Sequence, residues 1–269
     1  MQSRSGNHAK GIDVSHWQGI IDWKQVKNAG YSFVFMKATE GTKLVDDRFR
    51  VNAQGARSAG LLTGAYHLTR ATQPADVKVE LEHFVQVIAT AGGIDSFKLP
   101  FVLDIETKEG GTRTNISAIV HEWVRQFKLR TGRSLMVYTF PSFIDSSLDS
   151  TFGSIPLWYA YYSSGTPANK GGWNAWEFIQ YTNKGKVPGI NGNVDLDEYK
   201  GSEADLMAAY NSPKSESGSK IPAWKEAGRQ WLIDQAGIST DWKADDPLDI
   251  GTLGAILSKY TESVVGKKE

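Results

Sequence analysis

The sequence predicts an α/β protein, an irregular TIM-like β/α barrel followed by a small C-terminal helical unit. Eight short β-rich runs recur between turn or helix signals, more than a two-edged doubly wound sheet usually holds. Several of them, such as SFVFMKA and PFVLDIE, are apolar almost throughout, the pattern of strands buried on both faces of a parallel sheet. Polar residues collect at the C-terminal ends of the runs, and in a barrel those ends converge on one rim.

In chain order, strands are expected at Gly11 to Ser15, Ser32 to Thr39, Leu61 to His67, Pro100 to Glu106, Ser134 to Thr139, Pro156 to Tyr161, Glu177 to Tyr181 and Asn193 to Leu196. A helix from about Ala75 to Ala91 opens with Pro74, since proline is preset for a first helical turn. Another starts at Thr114 as N-cap, sets Ile116, Ile119, Val120, Trp123, Val124 and Phe127 on one face, and stops at Gly132. Beyond the fifth strand the gaps are rich in Gly, Ser, Asn and Pro, so a full ring of eight helices is not expected. The rim residues are Asp13, Glu40, His67, Asp104 with Glu106, Tyr138, Gln180 with Tyr181, and Asp195.

The barrel is expected over residues 1–204, a linker over 205–221 that contains the polar stretch YNSPKSESGSK, and a small helical domain over 222–269. Two amphipathic helices are read in the last part, Ala223 to Gln235 and Thr252 to Glu262. A unit of under ~50 residues has too little core to stand alone, so docking, dimerisation or a partner is expected.

With 30 Lys and Arg against 30 Asp and Glu, the chain has no global basic field, which argues against nucleic acid and anionic lipid as partners. Cysteine is absent, which removes disulfides, thiolate catalysis and thiolate metal ligation. The five His are scattered at 8, 16, 67, 83 and 121, and no metal-binding spacing, nucleophile elbow, phosphate loop or dinucleotide fingerprint appears. Neither a metal nor a cofactor is therefore expected. The N-terminal MQSRSGNHAKG lacks the apolar stretch of a signal peptide, and no run reaches the ~18 apolar residues of a membrane span. Synthesis in the cytoplasm without membrane insertion is the corresponding expectation. Nine Trp and ten Tyr supply flat apolar faces with polar edges, a surface that suits sugar rings as well as a core.

The segment LDIE puts Asp104 and Glu106 at i and i+2 of one strand, on the same face and ~6–7 Å apart at the backbone. Carboxylates that close push one member toward the protonated form and leave the other ionised, the division of labour that glycosidic cleavage needs. Asp13 in KGIDVSHWQG and Asp195 in GNVDLD read locally either as turn or cap carboxylates or as further members of a four-acid cluster.

Several ordered motifs, GIDVSHWQG, IDWKQVKNAG, FMKATEG, AGLLTGAYHL, LDIE, LMVYT, LWYAYY and NVDLDEYKG, together resemble glycoside hydrolase family 25, the muramidases of phage endolysins and bacterial and fungal lysozymes. The likeness spans roughly residues 9 to 201. It implies hydrolysis of the β-1,4 bond between N-acetylmuramic acid and N-acetylglucosamine of peptidoglycan. By the same resemblance the family's acids fall on Asp13, Asp104, Glu106 and Asp195, with Glu106 as general acid/base and Asp104 stabilising the cation at the sugar ring or its acetamido group. Tyr66, Tyr138, Tyr161, Tyr181, Trp158 and Gln180 are the expected substrate-binding residues. Direct attack by a carboxylate and assistance by the substrate's own acetamido oxygen both stay open. A glycan-binding barrel without activity and a chitinase-like hydrolase are the alternatives. The tail resembles a cell-wall-binding repeat of the S-layer-homology type, which implies a secondary wall polymer as ligand and an endolysin released through holin-type lysis.

Overall fold

A computed structural model describes residues 1–109, 111–211 and 230–234. The chain divides into two units, Met1–Asn211 and Ser212–Glu269. In the second, residues 230–234 are helical; the rest of the helix expected from Ala223 and all of the one from Thr252 lie outside the described residues.

The described residues of the first unit form nine strands: β1 (Lys10–Val14), β2 (Phe33–Glu40), β3 (Leu44–Val45), β4 (Leu62–Leu68), β5 (Phe101–Asp104), β6 (Leu135–Thr139), β7 (Leu157–Ala160), β8 (Phe178–Gly185) and β9 (Val194–Tyr199). They follow the order β1-β9-β8-β7-β6-β5-β4-β2-β3. Pairing of β1 with β2 closes eight of them into a barrel and leaves β3 as a short hairpin arm on β2. Seven barrel strands run parallel, but β9 is antiparallel to both its neighbours, β1 and β8. Here the irregular barrel departs from the parallel sheet that the apolar runs suggest: the β8–β9 connection is a turn through Pro188-Gly189 and Asn191-Gly192, with both glycines at positive φ, and no crossover helix intervenes.

Six α-helices are described in this unit: α1 (Trp23–Asn28), α2 (Phe49–Ser58), α3 (Val77–Thr90), α4 (Arg113–Thr131), α5 (Pro141–Ser147) and α6 (Glu203–Tyr210). No helix joins β7 to β8 or β8 to β9, in line with the incomplete ring read from composition. The cap of helix α4 lies two residues before the expected one. Thr112, not Thr114, accepts the backbone N–H of Asn115 at 3.3 Å, while Gly132 ends the helix in the left-handed region as expected. Helix α6 replaces the start of the expected linker. Ser202 caps it, Leu206 is buried, and Tyr210 packs on Phe178 and Tyr199, so the barrel unit extends to 211 rather than 204.

Alternation along the strands separates two apolar layers. Val34, Met36, Leu103, Val137 and Ile179 pack in the layer shared with the helices, against residues such as Phe84 and Trp123. Phe33, Phe35, Val102, Met136, Trp158 and Phe178 form the other, inside the barrel. Glycine makes room there: a Cβ on Gly11 would lie 2.2 Å from the Phe33 ring, and one on Gly64 2.4 Å from Phe35. Fully buried, each of these Phe side chains stabilises the fold by roughly 1.5–3 kcal/mol. Phe33 and Phe178 begin their strands and fill the lower barrel. The polar inward residues lie at the other end.

Candidate active site

At the rim formed by the ends of the parallel strands, a cavity of about 170 Å³ is lined by Asp13, Tyr66, Asp104, Glu106, Tyr138, Trp158, Gln180 and Asp195. It continues into a space of about 200 Å³ that shares Asp13, Tyr66, Asp104, Glu106 and Asp195 and adds Lys37 and Leu68. The four expected acids therefore meet in one groove.

They arrive by different routes. Asp13 alternates with Gly11 on the inner face of β1, one register step from the end of the strand. Asp195 is its direct partner across β9; because β9 is antiparallel, Asp195 reaches the rim from the start of its strand, not from the end. Asp104 is the last residue of β5, and Glu106 stands beyond it, so the two acids are not on one regular strand as expected. The bond from Ile105 N–H to the Tyr138 carbonyl, at 3.1 Å, holds the chain beside β6 and keeps Glu106 at the groove.

Burial is the main electrostatic fact. It holds Asp13 well above the ordinary carboxylate range, reinforced by Asp197 and Asp195 and opposed by a hydrogen bond from Gln180. Asp104 is also raised well above its usual value, first by desolvation and then by Glu106, while Lys37 pulls the other way. Glu106 is exposed at the mouth, yet the groove walls desolvate it enough to raise its pKa against the opposing pull of Lys37 and Arg70. Asp195 is pushed up to about 6 by burial. One buried oxygen, Asp104 Oδ1, has no hydrogen-bond partner among the described residues, and such an atom is costly unless a ligand supplies a donor.

A hydrogen-bond chain fixes the floor. Gln180 Nε2 donates to Asp13 Oδ2 at 2.7 Å, and its Oε1 accepts from the hydroxyls of Tyr138 at 3.0 Å and Tyr162 at 2.7 Å. Trp158 Nε1 donates to Asp197 Oδ1 at 2.8 Å, and its ring stacks on Phe35 with centroids 4.6 Å apart. Asp197 is fully buried beneath Asp13, with its pKa raised well above normal chiefly by desolvation. Its Oδ2 accepts from no N–H or hydroxyl donor among the described residues, while a side-chain hydrogen bond with Asp13 opposes the rise.

Not every expected residue joins the groove. Tyr161 points outward and stacks on Tyr159, with centroids 5.8 Å apart. Tyr181 lies under the Arg4 guanidinium, 3.4 Å from the ring centroid. Neither lines the cavity. Trp158 and Gln180 face inward on β7 and β8, and the neighbouring residues take the opposite side. His67 is likewise turned away from the rim: it is fully buried between Thr39 Oγ1 at 2.7 Å and Glu80 Oε2 at 3.1 Å, and burial lowers its pKa. Glu40 pairs with Lys37 at 2.6 Å and with Arg70 at 2.7 Å.

Lys37, Tyr162 and Asp197 were not singled out from the sequence. Two follow the inward parity of a residue that was: Tyr162 follows Trp158 by way of Ala160, and Asp197 follows Asp195, whereas Lys37 continues the alternation of Phe33 and Phe35, which carried no such signal.

The profile described as glycosyl hydrolases family 25 matches residues 12–190. Lysozyme M1 of Streptomyces globisporus is 37% identical over 214 residues, covering 76% of this chain and 71% of its own length. An N,O-diacetylmuramidase of Arthroderma benhamiae is 30% identical over 211 residues, with 72% and 87% covered. Among solved structures, a bacterial lysozyme from Streptomyces coelicolor superposes with a TM-score of 0.69 at 34% identity, over 77% of this chain and 99% of that one.

Proposed function

This chain belongs to glycosyl hydrolases family 25, and on that premise we propose that its groove hydrolyses the β-1,4 bond between N-acetylmuramic acid and N-acetylglucosamine in peptidoglycan. The observation that carries the reading is the meeting of Asp13, Asp104, Glu106 and Asp195 around one cavity.

Glu106 acts as general acid/base. Its pKa is raised, so it retains a proton closer to neutrality than a free carboxyl does, and its place at the mouth lets it pass that proton to the glycosidic oxygen. The C–O bond breaks as positive charge grows at the anomeric carbon, and the Glu106 carboxylate then takes a proton from the water that completes hydrolysis. Asp104 lies deeper; in its ionised form, which burial and Glu106 oppose and Lys37 favours, it balances the positive charge on the ring or the acetamido group. Its unpartnered Oδ1 suits an N–H donor of the kind an acetamido substituent carries. Asp13 and Asp195 shape the field around the pair, and Tyr66, Tyr138 and Gln180 hold sugar hydroxyls. The test is reduction and mass spectrometry of digested walls: new reducing ends fall on muramic acid, whereas ends on glucosamine defeat the assignment.

In the same reading, residues 222–269 bind a secondary wall polymer. The sequence pattern of the tail supports this, and a chain ending near Asn211 is expected to cut soluble glycan but to bind intact walls poorly. Delivery through holin-type lysis belongs to the proposal as well. Expression is then expected to lyse cells only once the inner membrane is permeabilised.

A further inference from the structure

Trp17 is 82% exposed, yet the segment that carries it is tied down on both sides. It lies in a short 3-10 turn, His16–Gln18, with Ser15 as cap: the Ser15 hydroxyl takes the Trp17 backbone N–H and the Gln18 side chain takes the Ser15 N–H at 2.9 Å. Gln18 Nε2 reaches across to the Asn193 carbonyl at 3.3 Å, next to the strand that carries Asp195. On the other side, both His16 N and His16 Nδ1 contact the buried Asp46 Oδ2 at 2.9 Å, and the His16 ring lies 4.5 Å from the indole. Leaving a large apolar face in water is unfavourable by about 25 cal/mol per Å², and fixing its backbone in place does nothing to lessen that cost.

The position of the ring indicates what covers it. Trp17 lines the same space as Asp13, Lys37, Asp104 and Glu106. A ligand there meets one flat apolar wall and, around it, carboxylates, an ammonium and a tyrosine hydroxyl. That combination rejects a wholly apolar ligand, which would strand the charges, and suits a body with an apolar face and a polar edge. A pyranose ring has that form, with C–H bonds on its faces and hydroxyls around its rim.

We propose that Trp17 is a prearranged stacking platform for a sugar ring of the glycan strand, a subsite adjoining the four acids. The assignment rests on the reading of the groove as a glycan hydrolase. The bonded turn fixes where the chain presents the indole, so less backbone freedom is lost on binding and the indole contributes to affinity for longer strands rather than to the bond-breaking step.

The test uses the full chain and peptide-free glycan strands of alternating N-acetylglucosamine and N-acetylmuramic acid. Trp17→Ala is expected to raise KM about tenfold, which corresponds to ~1.4 kcal/mol, with kcat within a factor of two, and Trp17→Phe to recover much of the loss. Ile20→Ser is the control. Ile20 is 79% exposed on the same segment but does not line the groove, and its replacement is expected to leave KM unchanged. Equilibrium binding of the same strands to Glu106→Gln, with and without Trp17→Ala, measures the platform without turnover. Unchanged KM and unchanged binding in the Trp17→Ala proteins overturn the proposal, as does an equal effect from Ile20→Ser. Absence of any cleavage of these strands by the unaltered protein would instead overturn the hydrolase reading, and the binding comparison would still judge Trp17.

Discussion

Gln180 donates to Asp13 across the barrel at 2.7 Å, and the same amide takes the hydroxyls of Tyr138 and Tyr162 on its oxygen. One side chain thus orients an acid and two phenols that come from three other segments of the chain. It also supplies a donor to a carboxyl that burial would otherwise push further toward its neutral form.

Replacing Gln180 by Leu leaves the Asp13 carboxyl without its donor and two hydroxyls without their acceptor. The expected loss is about 1–3 kcal/mol of stability per stranded buried group and at least tenfold in kcat. Gln180→Glu keeps the shape but places an acid against Asp13. Its activity is expected to recover partly as pH falls, a trend the Leu variant does not share. Denaturation curves and pH–rate profiles of the two variants check this.

Asp195 affects stability in a direction that can be worked out. Its pKa is raised from 3.8 to about 6 in the folded chain, so the native state holds this proton more tightly than the unfolded state. Its contribution is most favourable below about pH 4 and is lost as pH rises through about 6. Asp195→Asn is therefore expected to match the parent in melting temperature near pH 4 and to exceed it at pH 7, while losing activity. Thermal melts across that range measure the difference, and a variant less stable at pH 7 than at pH 4, relative to the parent, contradicts it.

Asp197 is buried, its pKa is raised well above normal, and its carboxyl hydrogen-bonds with that of Asp13. A neutral carboxyl there can offer its proton toward Asp13, and an amide can do the same. Asp197→Asn is accordingly expected to keep a parental pH–rate profile, whereas Asp197→Leu shifts it and lowers kcat. A displaced profile in the Asn variant would mean that Asp197 is ionised in the working enzyme.

Inward and outward tyrosines separate cleanly. Tyr162→Phe removes a bond to Gln180 and is expected to raise KM severalfold. Tyr161→Phe and Tyr181→Phe leave the groove untouched and are expected to keep KM within twofold. Steady-state kinetics on soluble glycan strands distinguish the three.

The same comparison marks the limit of what the chain's residues reveal when read alone. Trp158 and Tyr159 are both fully buried, one inside the barrel and one beneath the helices, so a strand apolar on both faces gives no clue to which parity points inward. Tyr161 and Tyr162 are equivalent on that evidence, and the difference emerges only once the sheet closes. The acids were more legible: LDIE ends an apolar run at a rim, while Asp13 and Asp195 stayed ambiguous locally and joined the set only through the family resemblance. The direction of β9 was missed although its signal was present: Pro188-Gly189 and Asn191-Gly192 mark a tight return, too short for the crossover that a parallel strand needs. His67 was misplaced for the opposite reason. A polar residue at a strand end looks like a rim residue, and only the helices bring Glu80 and Trp123 over it.

The proposed chemistry turns on the proton of Glu106, and Glu106→Gln tests it most directly. Turnover of purified glycan strands and their equilibrium binding are measured on the same preparation. The predicted result is a fall in kcat of about 10²–10⁴-fold with binding within a factor of a few of the unaltered protein. A variant that keeps more than a tenth of the parental kcat contradicts the assignment of Glu106 as the acid that breaks the bond.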